Sequence, residues 1–279
     1  MSVATAAPAA SVLARTERLH RRRLRTDRAI VIGGVAALGI AALLFWQFGA
    51  GLIVNQRYIS TPLEVIGRLA ALIADGVLLG HVRATMIEAG AGYLIGVVVG
   101  LVGAFALILT RRGYEVLEPY LLAFYSVPKM ALAPLFIMWF GLSLTPKIML
   151  AALMVFFIVF MNTVAGVRAV DRGLVSVARV MGASRWALIR TILLPAASPA
   201  IMAAIRVTFA RAMVGAILAE FIASTEGLGY MIVRASRQFD IATVFAGVVV
   251  IAVLVLTVNA LIRMVELRLF GWATVGVHG

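Results

Sequence analysis

Six long apolar runs, at residues 29–54, 89–110, 119–144, 148–167, 196–223 and 241–262, are separated by short polar or basic segments. Each approaches or exceeds the roughly 20 residues a helix needs to cross a hydrocarbon core. The pattern predicts an all-α, polytopic membrane protein of about six transmembrane helices. Two runs are irregular. The third is interrupted by Pro128, Lys129 and Pro134, and the fifth carries Pro199, Arg206, Arg211 and Glu220. A proline removes a backbone donor, and inside a bilayer the carbonyl it frees must find a partner in the protein.

Between the first two runs, Leu63, Ile66, Ala70 and Ile73 recur at helical spacing, with Glu64 and Arg68 on the other side. A short interfacial helix is expected there. Glycines 90, 92, 96, 100 and 103 form rows of small residues that allow close helix contact. Gly227 and Gly229 follow a span and lack the third glycine of a dinucleotide fingerprint, so they read as a turn on the outer side.

Composition agrees with the runs. The chain is 63% hydrophobic and 13% charged, against about 45–50% and about 25% in an ordinary soluble domain. Its net charge of +13 is distributed asymmetrically. With the amino terminus inside, sixteen of the 25 Lys and Arg fall in cytoplasmic segments, six lie outside and three stand within runs. The positive-inside rule therefore puts both termini in the cytoplasm. Residues 1–28 form a basic cytoplasmic tail, and residues 29–279 form the membrane domain. The first run is too long for a cleaved signal peptide and reads as an uncleaved span.

Several chemistries are excluded. No basic stripe is interleaved with aromatics, which argues against nucleic acid. Zero cysteines and three scattered histidines leave no metal site. No paired carboxylates or histidine cluster suggest catalysis. The only lysines, Lys129 and Lys147, each follow a proline, so there is no phosphate-cradling loop and the chain does not hydrolyse ATP itself. If the chain moves a solute, the energy must come from a partner ATPase or from an ion gradient. A gradient-driven secondary transporter stays open as the alternative, although no repeat relates the two halves.

The connection from Arg168 to Pro195 reads as two short amphipathic helices. Leu174, Val177, Ala178 and Met181 recur at helical spacing, Gly182 ends the first helix, and Ser184 caps a second carrying Trp186, Ile189 and Leu193. The spacing of Gly182, Ile192, Leu194 and Pro195, with Ala178, resembles the cytoplasmic EAA loop of ABC importer permeases. Ser176 and Val177 stand where that family usually has Glu and Ala. The stretches 126–150, 182–201 and 219–232 are similar to the nitrate, sulfonate and taurine branch.

The resemblance implies a type I importer fold and a homodimeric permease embedded in lipid of the inner membrane. It also implies two cytoplasmic ABC ATPase subunits and an extracytoplasmic solute-binding protein. ATP and Mg would be bound by the ATPase, and no cofactor by this chain. Alternating access would be driven through a coupling loop, 168–195, in which Ser176, Val177, Ala178, Val180, Met181, Gly182, Ala183, Trp186, Ile192, Leu194 and Pro195 meet the ATPase. The implied solute is small, an anion such as an alkanesulfonate, taurine or nitrate. Lys129, Arg206, Arg211 and Glu220 are the candidates for its path. A cation at the centre of a spanning helix costs about 2.5–3.5 kcal/mol on insertion scales, so it must face protein or water. It then either serves the path or pairs with Glu88, Glu220 or backbone carbonyls.

Overall fold

The computed structural model describes residues 30–50, 58–110 and 113–269. The basic tail lies outside the described residues. The chain divides into two compact units at Ile66 and Gly67.

In the first unit, α1 (Ile30–Gly49) is long and apolar enough to cross a membrane. Its end is fastened to the start of α2 (Pro62–Ala74): the Trp46 indole donates to the Ser60 carbonyl at 2.9 Å, and Gln47 accepts from the Leu63 N–H. A capping box opens α2. The Thr61 N–H donates to Glu64 at 2.8 Å while the Glu64 N–H reaches the Thr61 hydroxyl. The Thr61 N–H, with the Ser60 hydroxyl, holds the Glu64 carboxyl below the usual glutamate range. The expected short helix is therefore present, with its apolar stripe outward. Leu63, Ile66 and Ile73 are exposed while Val65 and Leu72 are buried. Lipid is an apolar solvent, so an apolar stripe need not face protein.

The second unit is built on α3 (Val77–Leu109), α6 (Leu144–Arg168) and α9 (Leu194–Ile222). Their shared core is made of small and branched side chains, Ala89, Ala151, Val155, Ala212 and Ala216 among them. The glycine row of α3 makes this contact possible. A Cβ at Gly92 would strike Ala151, and one at Gly96 would stand 2.6 Å from the Ala152 carbonyl. Gly215 of α9 meets the Ala151 backbone in the same way. Without a hydrophobic force between helices in lipid, close backbone approach supplies the packing.

Gly92, Gly96 and Gly100 meet Ala151, Val155 and Val159 in turn, so α3 and α6 run parallel. Lys147, in the first turn of α6, pairs with Glu88 of α3. From Glu88 to Leu109 is roughly 30 Å of helix at about 1.5 Å per residue. The intervening chain must recross that thickness. It does so as α4 (Gly113–Ser126), a 3-10 turn (Lys129–Leu132) and α5 (Ala133–Phe140), whose two limbs meet at 82°. The expected third span is therefore a bent pair that starts earlier than the apolar run. Pro128 has no N–H to continue the ladder, and the Lys129 ammonium donates to the Tyr125 carbonyl at the break, at 2.6 Å.

Two further boundaries shift. The second span extends back from residue 89 to Val77, through His81, Arg83 and Glu88, because these polar residues find protein partners or the surface. The fifth begins at Arg185, since one helical run of 38 residues extends from there to Ile222. A last helical pair, α10 (Leu228–Arg237) and α11 (Ile241–Leu269), closes the unit. Arg68 of α2 binds Asp240 at 2.9 Å and Thr243 at 2.7 Å, at the start of α11.

Candidate functional site

The segment after α6 is a capped helix, a two-residue turn and a second capped helix. Asp171 accepts from the Gly173 N–H at 2.7 Å and starts α7 (Arg172–Val180). The end of α7 is a Schellman motif: the Gly182 N–H bonds to the Arg179 carbonyl and the Ala183 N–H to the Ala178 carbonyl, both at 3.0 Å. Gly182 has φ +82°, with no atom near where a Cβ would stand, so backbone conformation alone selects glycine. Ser184 then caps α8 (Arg185–Leu188) by accepting from the Ala187 N–H.

These caps hold a projection whose apolar side chains are left uncovered by the other described residues. Val180 is 89% exposed, Met181 81% and Trp186 69%. Ser176 and Val177 are exposed beside them, and Ala178 and Ala183 are half-buried. Ile192, Leu194 and Pro195 are not part of this knob. They belong to a π-turn (Ile189–Leu193) and to the first turn of α9. Pro195 lacks an N–H, and the widened turn before it lets α8 run into α9 without a break. The second element is thus the root of the fifth span rather than a separate helix.

At the opposite end of the α3–α6–α9 bundle lies a buried polar cluster. Glu88 is fully buried and its Oε1 accepts from the Lys147 ammonium at 2.6 Å. Lys147 also donates to the Ser224 hydroxyl at 2.8 Å. Glu220, 2% exposed, accepts from the Thr85 hydroxyl at 2.6 Å and from the Gly229 N–H at 2.5 Å. Thr85 in turn accepts from the Leu228 N–H, and His81 Nδ1 from the Gly227 N–H. The turn between α9 and α10 is therefore clamped by α3. A Cβ at Gly227 would collide with the Glu220 carboxylate.

This arrangement separates the four path candidates. Lys129 serves the break after α4 and lies over the Tyr125 and Phe157 rings. Glu220 anchors the α9–α10 turn. Arg206 does not pair with Glu88 or Glu220, the partners considered from sequence; its Nε donates to Glu266 of α11 at 2.9 Å. Arg211 is exposed, past the midpoint of α9, with no ion pair among the described residues. Sequence reasoning missed the Lys147–Glu88 pair by reading Lys147 as a charge in an outer connection. The signal was a lysine four residues after Ser143, at a helix start, with a lone glutamate opening the glycine-rich span.

Comparison with known proteins adds the lineage. A protein of Bacillus subtilis (strain 168) described as an aliphatic sulfonates transport permease is 36% identical over 82% of this chain and 84% of its own. The riboflavin transport system permease of Chloroflexus aurantiacus is 35% identical, covering 82% and 86%. The taurine transport system permease of Escherichia coli (strain K12) is 30% identical, covering 92% and 96%. Each is named as a transport permease and not as an enzyme. An inward-facing structure of the MetNI methionine ABC transporter shares the fold, with TM-score 0.58 and 21% identity, over 68% of this chain and 93% of that one. Residues 92–271 match the family of binding-protein-dependent transport system inner membrane components. From the parallel spans, the capped projection and these matches together, the chain belongs to that family, the inner-membrane permeases of ABC importers with the type I fold.

Proposed function

We propose that this permease forms the translocation path of an importer for a small aliphatic anion of the sulfonate class. It works as a homodimer in lipid, with an extracytoplasmic solute-binding protein and with ABC ATPase subunits that bind ATP and Mg. The observation that carries the coupling is the capped α7–α8 projection, whose exposed Val180, Met181 and Trp186 need an apolar pocket on another protein. Because α8 continues into α9, a displacement of the projection is delivered to a spanning helix without an intervening hinge loop. The α7 end is cytoplasmic in this reading, and both termini lie on that side. The gradient-driven alternative loses its support, since the family depends on a binding protein and the loop offers a coupling element.

The anion is supported by the relatives named for aliphatic sulfonates and taurine. Identity alone does not separate these from the riboflavin relative. Arg211 favours the anion: a cation exposed along a spanning helix, without an ion pair among the described residues, suits a negatively charged solute. The test is uptake into proteoliposomes holding the permease, its ATPase and its binding protein. ATP-dependent accumulation of butanesulfonate or taurine, with none of riboflavin, is expected. Uptake of riboflavin alone would overturn the anion reading.

A further inference from the structure

The end of α9 and the following helix α10 enclose a cleft of about 270 Å³. It sits at the end of the bundle opposite the coupling projection. On α10, Tyr230, Val233, Arg234 and Arg237 fall at i, i+3, i+4 and i+7, so one face of that helix forms a wall. Phe221 and Ile222 form the apolar side facing it. Neither arginine has an ion-pair partner among the described residues, and both are exposed. Tyr230 is positioned by the His81 ring, 6.0 Å away, and His81 is itself fixed by the Gly227 N–H. The one carboxylate lining the cleft, Glu220, is held by Thr85 and Gly229.

We propose that this cleft is a binding station for the solute before it enters the span region, and that it takes an aliphatic anion. The inference rests on the sulfonate reading above and adds a place to it. Two guanidiniums on one helix face suit an oxyanion head with several acceptor oxygens. Phe221, Ile222 and Val233 offer the adjoining apolar surface that a short alkyl chain needs. Basic residues in the last turn of a helix also favour its dipole, but that role does not require them to border a cavity.

The experiment uses the permease–ATPase complex in nanodiscs of phosphatidylcholine, without the solute-binding protein, titrated calorimetrically with butanesulfonate. Binding is expected for the native complex, with loss of about 10-fold or more in affinity for the Arg234→Gln/Arg237→Gln double variant. The Arg234→Lys/Arg237→Lys variant should retain intermediate affinity. Equal affinity of native and Gln variants would overturn the proposal. Displacement of butanesulfonate by phosphatidylglycerol in the disc would assign the cleft to lipid headgroups and overturn it too. So would unchanged butanesulfonate binding alongside weakened attachment of the solute-binding protein. Uptake by the complete transporter separates the two levels. Sulfonate uptake without cleft binding defeats the cleft alone, whereas absence of any sulfonate uptake defeats the reading beneath it.

Discussion

At the residue scale, charges inside the membrane region have individual and opposite fates. The Lys147–Glu88 pair is fully enclosed, and removing one member leaves the other unneutralised, at a cost of about 3–5 kcal/mol. Lys147→Met should therefore lower the unfolding temperature in detergent sharply, while Lys147→Met/Glu88→Gln recovers much of the loss. An equal deficit in both would show that the pair contributes little beyond its surroundings. Arg206 and Arg211 are five residues apart, about 140° around a helix. They divide accordingly, one to Glu266 of α11 and the other to the surface. Arg206→Gln is expected to reduce assembled protein because Glu266 loses its partner. Arg211→Gln should leave assembly intact and lower sulfonate uptake; uptake at the native rate would remove Arg211 from the path. Nothing in the one-dimensional pattern distinguishes these two arginines, since which face of α9 meets α11 is a property of the packed bundle.

At the element scale, the α7–α8 segment was legible because its signals are local. Asp171, Gly182 and Ser184 are helix punctuation, each acting through the backbone within a few residues; Gly182 and Ser184 stand where the expected helices end and begin, and the Asp171 cap emerged only with the structure. Gly182→Asp places a side chain at φ +82° and a charge beside the apolar knob, so ATPase docking and transport should fall together while the spans stay inserted. The native chain has no cysteine. Cysteines introduced at Val180 or Met181 should therefore crosslink to the ATPase only through the new thiol, and Gly182→Asp should abolish that product. Full transport by the variant, with no crosslink at either position, would remove the segment from coupling. Because the exposed Ser176 carries no charge to pair with the ATPase, Ser176→Ala should leave crosslinking nearly unchanged. The bent α4–α5 pair was only half legible. Its prolines marked a break, but the 82° angle depends on what the two limbs pack against.

At the scale of the whole molecule, the parallel pairing of α3 and α6 has a topological consequence. The chain must recross the bundle between them, so the bent pair counts as a span and α1 brings the number of candidates among the described residues to six. An even number returns the carboxyl terminus to the side of the amino terminus. A reporter fused after Gly279 should then be active only in the cytoplasm, and activity only in the periplasm would refute the topology. Apolar run length was enough to determine class and approximate span number, and the placement of arginines sets only the orientation to be tested, because a bilayer imposes the same length and charge rules on every segment regardless of its neighbours. The glycine row likewise announced close packing, since a missing side chain permits it anywhere. Tertiary structure alone decided which helix fills that groove, that Lys147 is an interior charge and that Glu220 clamps a turn. It alone aligned Arg234 and Arg237 along a cleft. These depend on which residues from distant parts of the chain meet, and a charged side chain in a low-dielectric interior takes its role from the partner the fold brings to it.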